Sequence, residues 1–212
     1  MNETIRQVFA ASWRHPLVRP VVLVLAVVLA ALLVLRGLGT WLIAADPVPE
    51  RLDVVCTFAG ESYRVNYSKQ LVLRFPDAHW LLSDYKNGHS RLLQRSDFDM
   101  RRVTVIDTCK NTRSEINALR GWIAAYRASP GAGTRPLDIG LVSSPYHMRR
   151  IQIMASRYIG NHHVRIHLLP VPLEHYQWDR NTFRYWWRSN YITSVSLLEL
   201  VKIGYFMLTG YL

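Results

Sequence analysis

The sequence predicts an α/β fold: a parallel five-stranded sheet flanked by helices, preceded by one N-terminal transmembrane helix. Three observations point there. Residues 21–35 are an unbroken run of Val, Leu and Ala. Beyond residue 51, short apolar runs alternate with segments whose apolar residues recur at helical spacing, the pattern of a parallel sheet covered on both faces. The composition suits a folded domain. Half of the 212 residues are hydrophobic, too many for a disordered chain, while 11 Gly and 2 Cys exclude collagen-like and disulfide-dense classes. No internal repeat or low-complexity tract interrupts the chain.

The first element is the apolar helix. A membrane helix needs roughly 20 residues, and residues 20–43 supply them if Arg36 snorkels toward one interface. Pro20 suits a first helical turn, and Trp41 sits where aromatic belts form. A buried core helix of this purity, with no polar face, does not fit so small a protein. A cleaved signal peptide competes, but its charged region would be 19 residues long, and Leu42-Ile43-Ala44-Ala45 is a poor small-x-small cleavage site. The expected organisation is a cytoplasmic arm at 1–19, an uncleaved anchor at 20–45, a stiff Pro-containing linker at 46–51 and a main domain at 52–212. Arg6, Arg14 and Arg19 precede the span, against Asp46, Glu50 and Arg51 after it. The positive-inside rule then puts the N-terminus in the cytoplasm of a bacterial inner membrane and the main domain in the periplasm.

Formal net charge is +11, and residues 46–212 carry +8 of it. Nucleic acid is not an expected partner outside the cytoplasm. Anionic lipid head groups, polyprenyl phosphates or acidic wall precursors are, unless the charge serves solubility alone. Oligomeric state is not legible.

Within the main domain, strands are expected at 52–58, 78–82, 102–106, 137–142 and 164–169, and helices at 63–75, 112–126 and 145–158. Thr112-x-x-Glu115 reads as a capping box. Ser144 reads as an N-cap, with Pro145 at the first helical position and Gly160 past the end. Residues 176–191 are dense in aromatics and arginine, and would lie near the bilayer, cap a pocket or pack on the sheet. Residues 194–212 form an apolar helical pattern holding Glu199 and Lys202. Those charges argue for packing on the sheet over a second span.

In open α/β sheets ligands bind beyond the carboxyl ends of the strands. Polar clusters fall there: Gly60, Glu61, Ser62 and Arg64 after strand one; Ser83 and Asp84 after strand two; Asp107, Thr108, Asn111 and Thr112 after strand three; Ser143, Ser144 and His147 after strand four. The helix opening at Ser143-Ser144-Pro145-Tyr146-His147 offers free amides to an anion, with His147, Arg149 and Arg150 beside it. Glu115 reads either as a cap or as a functional carboxylate. Asn117 has no propensity reason to sit inside a helix, which weights it toward function. Glu61, Asp107, Glu115 and His147 are the candidate catalytic groups. Gly60, Arg64, Ser83, Asn111, Thr112, Asn117, Ser143, Ser144 and Arg150 are the candidate substrate- or phosphate-binding set.

Asn111-Thr112-x-x-Glu115-x-Asn117, followed by Val142-Ser143-Ser144-x-Tyr146-His147-Met148-x-Arg150, resembles the signature of the YdcF/SanA/ElyC family, a domain of unknown function. The resemblance spans residues 52–212 and includes Arg64 and a late pattern at Trp187, Glu199 and Tyr205. It implies a Rossmann-like domain on an N-terminal membrane helix. It also implies a role in envelope integrity, peptidoglycan assembly or use of the polyprenyl lipid carrier; one member binds S-adenosylmethionine. Two departures stand out. Ala59-Gly60-Glu61 replaces a Gly-rich turn, and Ser83-Asp84-Tyr85 replaces Ser-Gly-Gly. The missing glycines would let backbone approach a ligand, so the change counts against nucleotide or S-adenosylmethionine binding and leaves the cofactor unassigned. It also adds the carboxylates of Glu61 and Asp84, which could bind a metal, act as acid and base, or be solvated.

The sequence has no G-x-S-x-G elbow, Walker loop, H-E-x-x-H or C-x-x-C. His162-His163 with His167 resembles a metal cluster, but His167 alternates with Val164, Ile166 and Leu168 on a strand, so surface histidines are expected and no metal is assigned. Cys56 and Cys109 are expected to be free thiols if strand two separates their strands.

Overall fold

The computed structural model describes residues 18–84, 88–94, 98–130, 133–160 and 163–210. The arm expected before residue 18, Tyr85 and His162 lie outside them. The first element, α1 (Val18–Leu42), is long and apolar enough to cross a membrane, as an anchor or a signal sequence would be. Within Pro20–Leu42, an 18-residue window reaches a mean hydropathy of 2.9. Its side chains from Val21 to Val34 are largely exposed, because nothing in the domain covers them.

The domain follows as β1 (Val54–Thr57), α2 (Ser62–Arg74), β2 (His79–Ser83), α3 (Gly88–Gln94), β3 (Val103–Ile106), α4 (Thr112–Ala128), β4 (Leu137–Ser143), α5 (Met148–Tyr158), β5 (Val164–Pro170), α6 (Arg180–Arg184) and α7 (Asn190–Thr209). All five strands are parallel, in the order β3-β2-β1-β4-β5. This is the expected Rossmann-like α/β sheet flanked by helices. The central strands β1 and β4 are buried along their whole length and mainly apolar, with Asp138 the one charged residue in them, while the edge strands β3 and β5 are only part-buried.

Two apolar layers sandwich the sheet. On one face Ile116, Leu119 and Ile123 of α4 pack with Met148, Ile151 and Met154 of α5 and Phe206 of α7. On the other face Val65, Leu71 and Val72 of α2 pack on Val55, Trp80 and Leu82. Helix α7 buries Ile192, Ser196, Glu199, Ile203 and Phe206, one stripe at helical spacing, and exposes Leu197, Leu198, Val201 and Leu208. Its length and hydropathy also satisfy a span. The expected packing on the domain is what its buried stripe achieves.

Two local expectations shift. The helix after β4 opens as a 3-10 turn, Pro145–His147, before α5 begins at Met148, and Ser144 does not cap it through its side chain. At α4 the cap is Asn111, whose side chain accepts from the Ser114 amide while Ser114 Oγ answers the Asn111 amide. The capping box therefore sits one residue earlier than Thr112-x-x-Glu115. Ser114 does the reciprocal work, and the Glu115 carboxyl is released to point elsewhere.

Candidate functional site

The strand order reverses between β1 and β4, the topological switch point. The crevice there is closed by side chains. Arg64 of α2 reaches across, donating from Nε to Ser144 Oγ at 3.0 Å and from Nη1 to the Phe58 and Ala59 carbonyls. Ser144 in turn donates to Glu61 Oε2 at 2.7 Å. Glu61 also accepts from Tyr176 at 2.7 Å, Tyr146 at 2.9 Å and Tyr191 at 3.4 Å. Burial opposes ionisation of Glu61, but the hydroxyls of Tyr176, Ser144 and Tyr146 and the Arg64 charge outweigh it, so its pKa falls below the usual carboxylate value. Gly60 belongs to the same clasp. Its φ is +149°, and a Cβ there would lie 2.6 Å from the Arg64 guanidinium carbon, so glycine is needed to admit Arg64.

A cleft of about 730 Å³ opens beside this clasp. Its walls come from the ends of β1, β2 and β3, the start of α4, His147, Arg150 and α7, with Ser83, Thr112, Glu115, His147, Arg150 and Lys202 among the lining side chains. Glu115 is buried, and its Oε1 accepts from the Ala59 amide at 2.6 Å. Burial raises its pKa despite that amide, the nearby Ser83 hydroxyl and the charges of Arg64 and Arg150. Ser83 Oγ is buried close to Glu115, without a partner in strict hydrogen-bond geometry among the described residues.

Glu199 does not line the cleft but bonds to three residues that do. Only 1% of its side chain is exposed, and its oxygens take Arg150 Nε at 2.7 Å, His147 Nδ1 at 3.0 Å and Lys202 Nζ at 3.0 Å. Burial alone would raise its pKa; His147 and Arg150 overcome this and hold it well below the ordinary carboxylate value. Burial lowers the His147 pKa to about 4 against the pull of Glu199, so the ring is neutral at pH 7. An ionised carboxylate can only accept, so the proton sits on Nδ1 and the lone pair on Nε2. Arg150 Nη2, 3.3 Å from Nδ1, then has no lone pair to donate to there. Its Nη1 donates to Thr112 Oγ1.

Comparison with protein-family models, with curated proteins and with solved structures finds no match for this chain.

Of the candidate residues, Gly60, Ser83, Asn111, Thr112, Glu115, His147 and Arg150 meet at the cleft. Arg64, Glu61 and Ser144 meet in the clasp. Asp107 is exposed and lies outside the lining. Asn117 is two residues from Glu115, about 200° around the helix, and does not line the cleft. Ser143 is fully buried at the end of β4, its hydroxyl without a partner among the described residues. Asp84 is not solvated: its carboxylate accepts from the Gly88 and Ser90 amides at the start of α3. Arg149 points away, over the Trp41 ring. His167 pairs with Asp138 at 3.0 Å on the edge strand. Both cysteines are free and buried, with β2 between their strands; Cys109 also borders the cleft. Sequence reasoning gave Lys202 no role and Glu199 none beyond the resemblance. Their one local signal is an acid and a base three residues apart in an otherwise apolar helix.

Proposed function

We propose that this is a membrane-anchored envelope protein of the YdcF/SanA/ElyC type. Its domain lies outside the inner membrane, and its strand-end cleft binds the phosphate of a lipid-linked or cell-wall glycan precursor. The observation that carries this reading is the ring of cations around buried Glu199: Arg150 and Lys202 line the cleft next to neutral His147 and the start of α4. Such a site suits an anion that replaces water around paired cations. His147, held by Glu199 through Nδ1, has Nε2 free to take a proton from an attacking hydroxyl or water. Glu115, kept toward its protonated form, suits the acid role. Ser83 and Thr112 complete the contacts.

The test is binding of a polyprenyl monophosphate and of the neutral polyprenol to the full chain in detergent. The phosphate should bind at least tenfold tighter, and Lys202→Gln should remove most of that preference. Equal binding of the two lipids, or recovery of S-adenosylmethionine as the one co-purifying ligand, overturns the reading.

A second reading, a non-catalytic factor that binds carrier lipid or a synthase, is favoured by Glu61, whose oxygens are saturated by hydroxyl donors. Glu115→Ala and His147→Ala separate the two. If both variants fold, reach the membrane and fully restore a deletion strain, catalysis is excluded.

A further inference from the structure

We infer that the domain is seated in the head-group layer of the bilayer, with residues 180–188 as its contact, and is not held off on a leash. The proposal rests on α1 being retained as a span, and it does not depend on what the cleft binds.

The length of the apolar run sets the depth. Arg19 and Arg36 enclose 16 uncharged residues, about 24 Å of helix at 1.5 Å per residue. A hydrocarbon core is about 30 Å thick. The turn after Arg36 must therefore complete the crossing, and that turn is already packed against the domain. Arg36 Nη2 donates to Tyr185 Oη at 2.6 Å, and Trp186 Nε1 donates to the Leu35 carbonyl at 2.8 Å. A Cβ on Gly39 would come within 2.2 Å of the Phe183 carbonyl oxygen. Tyr185 and Trp186 thus share the depth of the last helical turns.

The side chains at that depth suit an interface. Arg36, Arg184 and Arg188 stand around one Tyr185 ring at 4.8, 5.9 and 4.6 Å. Trp41 and Trp187 are exposed beside them. Arginine with Trp and Tyr is the composition that membrane interfaces favour, rings at the acyl boundary and guanidinium groups toward lipid phosphate.

The connection between α1 and the sheet has little slack. The Asp46 amide donates to the Leu168 carbonyl at 2.8 Å, and the Leu168 amide donates back to Asp46 Oδ2 at 2.8 Å. The linker is laid along β5, so four residues after α1 the chain is fixed to the sheet. The last turns of α1 also touch the 3-10 turn Pro145–His147 and the start of α5, which carry His147 and Arg150. The carboxyl edge of the sheet, and the cleft with it, then faces the lipid head groups.

The test uses the full chain in nanodiscs of phosphatidylethanolamine and phosphatidylglycerol, with no added ligand. A nitroxide is placed at Trp187→Cys or, as an aqueous control, at Arg101→Cys; the native cysteines are buried. At position 187 the label should favour oxygen over a water-soluble nickel chelate by several-fold, while the control should not. Gly39→Leu should return the 187 label to aqueous accessibility. Gly37→Leu, where a Cβ meets nothing within 4 Å, should leave it unchanged. Aqueous accessibility at 187 in the parent chain overturns the proposal, as does head-group depth that survives Gly39→Leu or occurs only in discs holding two copies. Loss of polyprenyl phosphate binding with the label still at head-group depth counts against the proposed function alone.

Discussion

Burial pushes the pKa of Glu115 up and that of His147 down, each shift favouring the uncharged form. For His147 the consequence has a definite sign. The unfolded ring titrates near 6.5 and the folded one near 4, so the unfolded chain binds more protons between those values. Stability is fully present above pH 6.5 and is lost as pH falls toward 4. Glu199, with its pKa lowered from 4.5, adds its loss only below pH 4.5. In thermal melts from pH 7 to 5 the parent chain should lose more in midpoint, or gain less, than His147→Gln, in which the contributions of His79, of like sign, and Glu115, of opposite sign, are unchanged; parallel profiles would refute neutral His147. Removing one member of the buried pair is costly for a different reason. Glu199→Gln leaves Arg150 buried without its counter-charge, and a loss of about 3–5 kcal/mol is expected in denaturant unfolding. None of this is legible locally. Glu199 lies 49 residues from Arg150, and in the sequence it is one charge in an apolar helix.

At the scale of elements, short apolar runs located every strand to within two residues, because inner strands of a parallel sheet are covered on both faces. The start of α4 shows what periodicity cannot decide. Thr112-x-x-Glu115 and Asn111-x-x-Ser114 are both capping patterns, and the winner is set by what awaits the other residue. The Ala59 amide offers Glu115 a buried partner, and Arg150 offers one to Thr112, so Asn111 and Ser114 take the cap. Asn111→Ala should cost about 1 kcal/mol, roughly 2–4 °C in melting temperature for a chain of this size. Ser114→Ala should also destabilise, while Glu115→Gln should keep the cap. A stabilised or unchanged Asn111→Ala protein would sink that frame. The short helices α3 and α6 escaped sequence reading because each is held by an acid at its start, Asp84 and Asp179, with too few turns to show a periodic stripe.

Across the whole molecule, the basic charge now has an address. Arg36, Arg184 and Arg188 gather where α1 meets the domain, and Arg150 and Lys202 gather in the cleft. A reporter fused after Leu212 should be active only outside the cytoplasm. Activity inside would mean that the orientation is reversed or that α7 spans. Local pattern and chain connectivity suffice for the apolar helix, the order of strands and helices, and the edge of the sheet on which polar residues collect. Which of those polar residues share a cleft depends on packing between elements distant in the chain. Packing turned Glu61, Arg64 and Ser144 into a clasp across the switch point, left Asp107 and Asn117 outside, and brought Glu199 up from the last helix beneath His147 and Arg150. Buried charges settle where a partner can be reached through space, and that reach is not written in sequence spacing.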